Sequence, residues 1–162
     1  MNMILIAGLL FVTFGFAKTN KLVETTKYAG VYKAKKGTIG CVTVYPETDS
    51  TILFYIDISQ GAPSYNLGQL YDRLKIKDGE GVYFSTDYDY TDEKMGCKWQ
   101  ITIKKQVLTI KTLENCFECG FGANVIGDNQ YNLKNSKTPH FFIDGTNNKI
   151  FFSKTSPGDY FK

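Results

Sequence analysis

The sequence predicts an all-β fold, an antiparallel meander closed into a small barrel or a strongly curved sheet and stapled by disulfides. Three observations carry that expectation. Apolar residues alternate with polar ones along short runs, with no sustained helical period. The runs are rich in β-branched and aromatic residues, which suit a pleated, half-buried surface. Glycine, asparagine and aspartate separate them at short intervals, as at Lys36-Gly37, Asp78-Gly79, Gly127-Asp128-Asn129 and Gly145-Thr146-Asn147-Asn148.

In chain order, the first segment is not part of that fold. Residues 1–17 carry no charged side chain, hold an apolar run from Met3 to Val12, and end in Gly15-Phe16-Ala17. This is the pattern of a signal peptide, with small residues at −3 and −1 of the cleavage site. The run is short for a membrane span, which needs about 20 apolar residues. The mature chain then starts at Lys18, in the periplasm or outside the cell. Residues 18–27 are polar and read as an N-terminal arm, and residues 28–162 as one β-barrel domain.

Within that domain the alternation marks eleven short strands. They are Tyr28–Lys35, Thr38–Tyr45, Thr51–Ser59, Asn66–Lys77, Val82–Asp87, Cys97–Lys104, Val107–Leu113, Ala123–Ile126, Gln130–Leu133, His140–Asp144 and Lys149–Ser153. Ile52, Phe54, Ile56 and Ile58 share one face, Trp99, Ile101 and Ile103 another, and Val82 with Phe84 begin a third. The expected core is Trp99, Ile101, Ile103, Ile52, Phe54 and Ile56. Open edges of such sheets are a liability, so closure is expected.

The charge balance excludes one class of partner. Lys plus Arg number 19 and Asp plus Glu 16, for a net charge of +3, and Arg73 is the sole arginine. Nucleic-acid recognition leans on the arginine fork, and the lysines are interleaved with acids rather than gathered in a stripe. No nucleic-acid partner is expected, and no membrane span remains after signal cleavage.

Four cysteines, Cys41, Cys97, Cys116 and Cys119, follow the signal segment, and an even count in an exported chain reads as two disulfides. Folding the Cys97–Ile103 and Val107–Leu113 hairpin brings Cys97 opposite about residue 113. That favours Cys97–Cys116 with Cys41–Cys119, and a local Cys116–Cys119 bridge is the rival. The CxxC spacing does not support redox or zinc chemistry as well. Gly120-Phe121-Gly122 is a poor start for the helix a redox pair needs, and Cys41 and Cys97 form no second knuckle. No cofactor or metal is expected.

The sequence offers little for catalysis. His140 is the sole imidazole, it stands at a strand start, and no Gly-x-Ser-x-Gly elbow accompanies it. The expectation is a protein that is not an enzyme. The local anomaly is Asp87-Tyr88-Asp89-Tyr90-Thr91-Asp92-Glu93, four acids in seven residues with two tyrosines between them. The spacing does not match an EF-hand, and glycosidase carboxylates would need a deep cleft. A solvated hairpin loop is the plain reading. The functional one is a binding loop whose residues Asp87, Tyr88, Asp89, Tyr90, Asp92 and Glu93 meet a basic partner. A small apolar ligand in the barrel interior is the alternative, on the strength of the Phe- and Tyr-rich strands.

The stretch Cys116-Phe117-Glu118-Cys119-Gly120-Phe121-Gly122-Ala123-Asn124-Val125, followed by Gly127 to Tyr131, resembles the C-terminal hallmark of small secreted bacterial β-barrel domains of the periplasmic lysozyme-inhibitor-like type. Tyr28-Ala29-Gly30-Val31-Tyr32 resembles their first strand. The likeness covers residues 28 to 133 and implies the barrel, with a lysozyme as the basic partner. It does not extend to the tail from Asn135, and Pro63-Ser64-Tyr65 does not match the inhibitory Ser-Gly-x-x-Tyr motif, so no inhibitory residue carries over.

Overall fold

The computed structural model describes residues 23–35, 39–85, 96–117 and 119–160, of which 115–117 as backbone only. Residues 1–17, expected from sequence to be a signal peptide, lie outside them. A 3-10 turn, Glu24–Tyr28, leads into β1 (Gly30–Ala34), β2 (Ile39–Pro46), β3 (Thr51–Ser59) and β4 (Leu67–Lys75). There follow β5 (Glu80–Phe84), β6 (Cys97–Lys104), β7 (Val107–Phe117) and β8 (Asn129–Asn135), then β9 (Phe141–Ile143), β10 (Lys149–Phe151) and the single turn α1 (Pro157–Tyr160).

The first eight strands form one antiparallel sheet in the order β4-β3-β2-β1-β8-β7-β6-β5. Every hydrogen-bonded neighbour but one is consecutive in sequence, and β1 pairs β8 to bring the meander back on itself. The ends of this sheet, β4 and β5, are joined by the Asp78-Gly79 turn. The Lys77–Glu80 bridge holds the start of that seam, and the Tyr83 hydroxyl donates to Asp72 Oδ2 at 2.9 Å farther along it. The result is a nearly closed eight-stranded barrel, the meander that the alternation predicts.

Period-two alternation puts Ile52, Phe54, Ile56 and Ile58 inside the barrel at 0–1% exposure, and Trp99, Ile101 and Ile103 inside at 0–5%. Val82 and Phe84 do share a strand face, but it is the outer one: both are exposed, and Tyr83 between them is the buried residue. The ladder decides this, because Tyr83 is paired with the inward-facing Trp99.

The tail from Asn135 onward builds a second layer. On β3 the outward residues Leu53 and Tyr55 are also buried, because β9, β10 and α1 cover them. Phe142 stacks on Tyr55 at 3.9 Å between ring centroids and tilts against Tyr71 at 4.9 Å, while Phe152 stacks on Tyr45 at 5.1 Å. The Tyr71 hydroxyl donates to the Thr155 carbonyl at 2.8 Å and ties the tail to β4. Two further differences concern local structure. Residues 24–28, at the arm's junction with the barrel, are docked, with Thr25 at 1% exposure. The expected strand Ala123–Ile126 is a loop, described next.

Candidate functional site at the long-loop end of the barrel

The two ends of the barrel are built differently. At one end the connections are the tight turns 47–50, 77–79 and 105–106, and the 3-10 turn plugs the opening. Thr25 Oγ1 donates to the Thr48 carbonyl at 2.6 Å, and the Glu24 N–H to Asp49 Oδ1 at 2.8 Å. Tyr28 enters the core, and its carbonyl accepts from the buried Tyr32 hydroxyl at 2.8 Å.

At the other end, besides the short connection at 35–38, the connections are longer, at 60–66, 85–96 and 118–128. The last of these carries the Cys119-Gly120 step and folds across the barrel mouth as a lid. Phe121 reaches over β4, so close to Gly68 that a Cβ there would lie 2.6 Å from its ring, and its centroid is 5.9 Å from that of Trp99. The Gly122 N–H donates to the Leu67 carbonyl at 2.8 Å, and Asn66 Nδ2 to the Ala123 carbonyl at 2.7 Å. Gly127 lies flat on Trp99, where a Cβ would meet the indole at 2.9 Å. Asp128 then accepts from the Thr112 N–H and hydroxyl, and the buried Tyr131 hydroxyl donates to the Gly127 carbonyl at 2.8 Å. A small residue is needed at 68, 122 and 127 because chain or ring passes directly over each.

A disulfide fastens the lid, and its pairing corrects the sequence expectation. Cys97 bonds Cys119, not Cys116, and Cys41 is a free thiol. Cys41–Cys119 and Cys116–Cys119 are therefore both excluded. The cause is a bulge in β7. Trp99 faces Thr112, but Cys97 faces Phe117, where an unbroken ladder would place Glu114. Glu114 takes a positive φ of 53°, and the extra residues carry the chain past Cys97 so that Cys119 arrives beside it. The side chain of Cys116 lies outside the described residues.

The barrel between plug and lid is packed. Tyr32, Val42, Val44, Ile56, Trp99, Leu108 and Tyr131 line its interior at 0–1% exposure. A void wide enough for water would leave accessible surface on its lining, so none touches these side chains. Burial pushes the hydroxyl of Tyr32 up to about 12 and those of Tyr131, Tyr55 and Tyr71 upward as well.

The surface of the long-loop end is apolar in places. Ile39, Tyr65, Leu67, Phe84 and Ile126 are all exposed there, from 38% at Phe84 to 66% at Tyr65. Ile39, Ser59 and Leu67 form one outward row across β2, β3 and β4. The predicted binding residues Asp87, Tyr88, Asp89, Tyr90, Asp92 and Glu93 lie outside the described residues. Their two anchors do not: the Ser85 N–H donates to the Cys97 carbonyl at 2.9 Å, and the Cys97 N–H to Ser85 Oγ at 3.0 Å. The described flanks of that stretch, Ser85 and Cys97, thus stand at this end, next to the exposed Phe84 and the disulfide.

Other groups stand apart. Cys41 sits half-buried on the outer face in a cross-strand row with Lys33, Asp57 and Gln69, and burial raises its thiol pKa, which makes it a poor nucleophile. His140 is exposed. No group of three or more potential metal-ligating His, Cys, Asp or Glu side chains occurs among the described residues. An open groove of about 260 Å³ runs between β3, β4 and the tail, lined by Glu47, Arg73 and Phe152 among others. Its guanidinium is already engaged, with Arg73 Nε donating to Glu47 Oε2 at 2.6 Å, and this holds the Glu47 carboxyl below its usual range.

Compared with protein-family models, with curated proteins and with solved structures, the chain matches none of them.

Proposed function

We propose that the protein is an exported, non-enzymatic binding module of the lysozyme-inhibitor-like kind, which recognises a basic partner through the acidic-aromatic loop at the long-loop end. The observation that carries this reading is the solid interior, plugged at one end and lidded at the other. A chain built this way offers its surface, and the long loops gather at one end of it with the exposed Ile39, Tyr65, Leu67, Phe84 and Ile126. The disulfide is in keeping with an oxidising compartment. No helix among the described residues is long and apolar enough to cross a membrane.

The acids of the loop supply orientation and on-rate toward a cationic partner, since the chain as a whole is positive and would otherwise repel it. Tyr88 and Tyr90 supply rigid aromatic contact. Carriage of a small apolar ligand, the alternative, would require the interior side chains to give way. The test is turbidity clearing of cell walls by a basic lysozyme. Wild-type protein should inhibit it, and the variant with Asp87, Asp89 and Asp92 changed to Asn and Glu93 to Gln should inhibit about tenfold less at low salt. Absence of inhibition by the wild type, or equal inhibition by the variant, removes the reading.

A further inference from the structure

The β9–β10 hairpin has two faces. Its register pairs Phe141 with Phe151, Phe142 with Ile150, and Ile143 with Lys149. Phe142 and Ile150 point at the barrel and cover Tyr55 and its neighbours. The opposite face carries Phe141 and Ile143 at 38% and 46% exposure, with Phe151 and Lys149 beside them. The fold does not require apolar groups there, because the inner face already completes the second layer.

The charge on this outer face is of one sign. Lys149 Nζ stands 3.8 Å from the Phe141 ring centroid and 5.3 Å from that of Phe151, and Lys154 Nζ is 5.2 Å from Phe151. Among the described residues, neither ammonium lies within ion-pair distance of a carboxylate. The hairpin's own acid, Asp144, is turned into its connection. There Oδ1 accepts from the Thr146 N–H at 2.9 Å and the Asn148 N–H at 2.8 Å.

We propose that this face docks on an anionic phospholipid surface, with Phe141 and Ile143 entering the headgroup boundary and Lys149 and Lys154 meeting lipid phosphates. The chemistry fits such an interface. Aromatic and aliphatic groups partition into the acyl boundary, while lysines lay their stems along apolar surface and keep the ammonium among the headgroups. The hairpin is an outer layer on the barrel, and a fluid interface needs no carved complement to an outward-facing patch. The proposal is independent of the acidic loop and adds a second surface of opposite charge.

The test is co-sedimentation of the full protein with vesicles of equal parts phosphatidylglycerol and phosphatidylcholine, and with phosphatidylcholine alone. The wild type should pellet with the anionic vesicles alone. The Lys149→Gln/Lys154→Gln variant should partition about 30-fold less at low salt, from the usual gain per lysine near such a surface. Phe141→Ser/Ile143→Ser should also lose binding while keeping the wild-type near-ultraviolet dichroism of the buried aromatics. No pelleting of the wild type, or equal pelleting of the variants, overturns the proposal. So does lipid-free self-association that depends on Phe141 and Ile143, which would make a second copy the occupant, or retention on a polyglutamate surface that matches retention on vesicles.

Discussion

Replacing Cys119 by Ser tests how much of the barrel depends on the fastened lid. The disulfide joins positions 22 residues apart in sequence. In the chain-entropy model, opening a closed span of that length costs about 3 kcal/mol at 25 °C, because the unfolded chain regains the conformations the crosslink denied it. For a domain of this size that corresponds to a fall in Tm of about 6–12 °C. Cys119 is the residue to change because it is partly exposed, whereas Cys97 is fully buried and its thiol can stay in place as a small apolar group. The assay is urea unfolding followed by Trp99 fluorescence, for wild type, Cys119→Ser and Cys41→Ser. The last should lose less than about 1 kcal/mol, since Cys41 is an unbonded thiol on the outer face. Peptide mapping without reduction should recover Cys97 linked to Cys119 and Cys41 alkylated. Equal losses in the two variants, or a loss below about 1 kcal/mol in Cys119→Ser, would refute the reasoning.

Two more expectations come from packing and from burial. Trp99→Ala should cost about 3–5 kcal/mol, because the indole is fully buried between Tyr83, Phe121 and Gly127; a loss below 1 kcal/mol in denaturant melts would place the ring outside the core. The alkaline limb of stability follows from the tyrosines. A folded-state pKa raised to about 12 at Tyr32, against 10.0 unfolded, contributes stability that is complete below pH 10 and is lost as pH climbs toward 12. Tyr55, Tyr71 and Tyr131 shift in the same direction. Absorbance at about 295 nm should show these phenols ionising together with unfolding above pH 10; free titration near pH 10 in the folded protein would contradict their burial.

The strand pattern was legible because period-two alternation survives wherever one face is buried, as at Ile52 to Ile58 and at Trp99 to Ile103. At Val82 and Phe84 it marks the strand without saying which face is inward; there a short seam strand leaves apolar groups outside, and Tyr83 is turned inward opposite Trp99 across the ladder. The second layer had a signal that alternation overlooks: β3 is apolar on both faces, Leu53 and Tyr55 included, which marks a strand covered on both sides. The disulfide pairing was not legible, because a bulge of a few residues in β7 decides which cysteine meets Cys97. The cysteine- and glycine-rich stretch around Cys119 was visible in sequence, but its work as a lid depends on Gly68 and Leu67, some fifty residues earlier in the chain. The acidic stretch is legible in sequence alone and lies outside the described residues; the structure shows only its flanks, Ser85 and Cys97, hydrogen-bonded to each other.

If the packed barrel presents its long-loop end for recognition, hydrogen exchange of the protein, alone and with an excess of a basic lysozyme, should show added protection in 60–66, 85–96 and 119–128, and none in the turns at 47–50, 77–79 and 105–106. Unchanged exchange throughout, or protection at the plugged end, would contradict it.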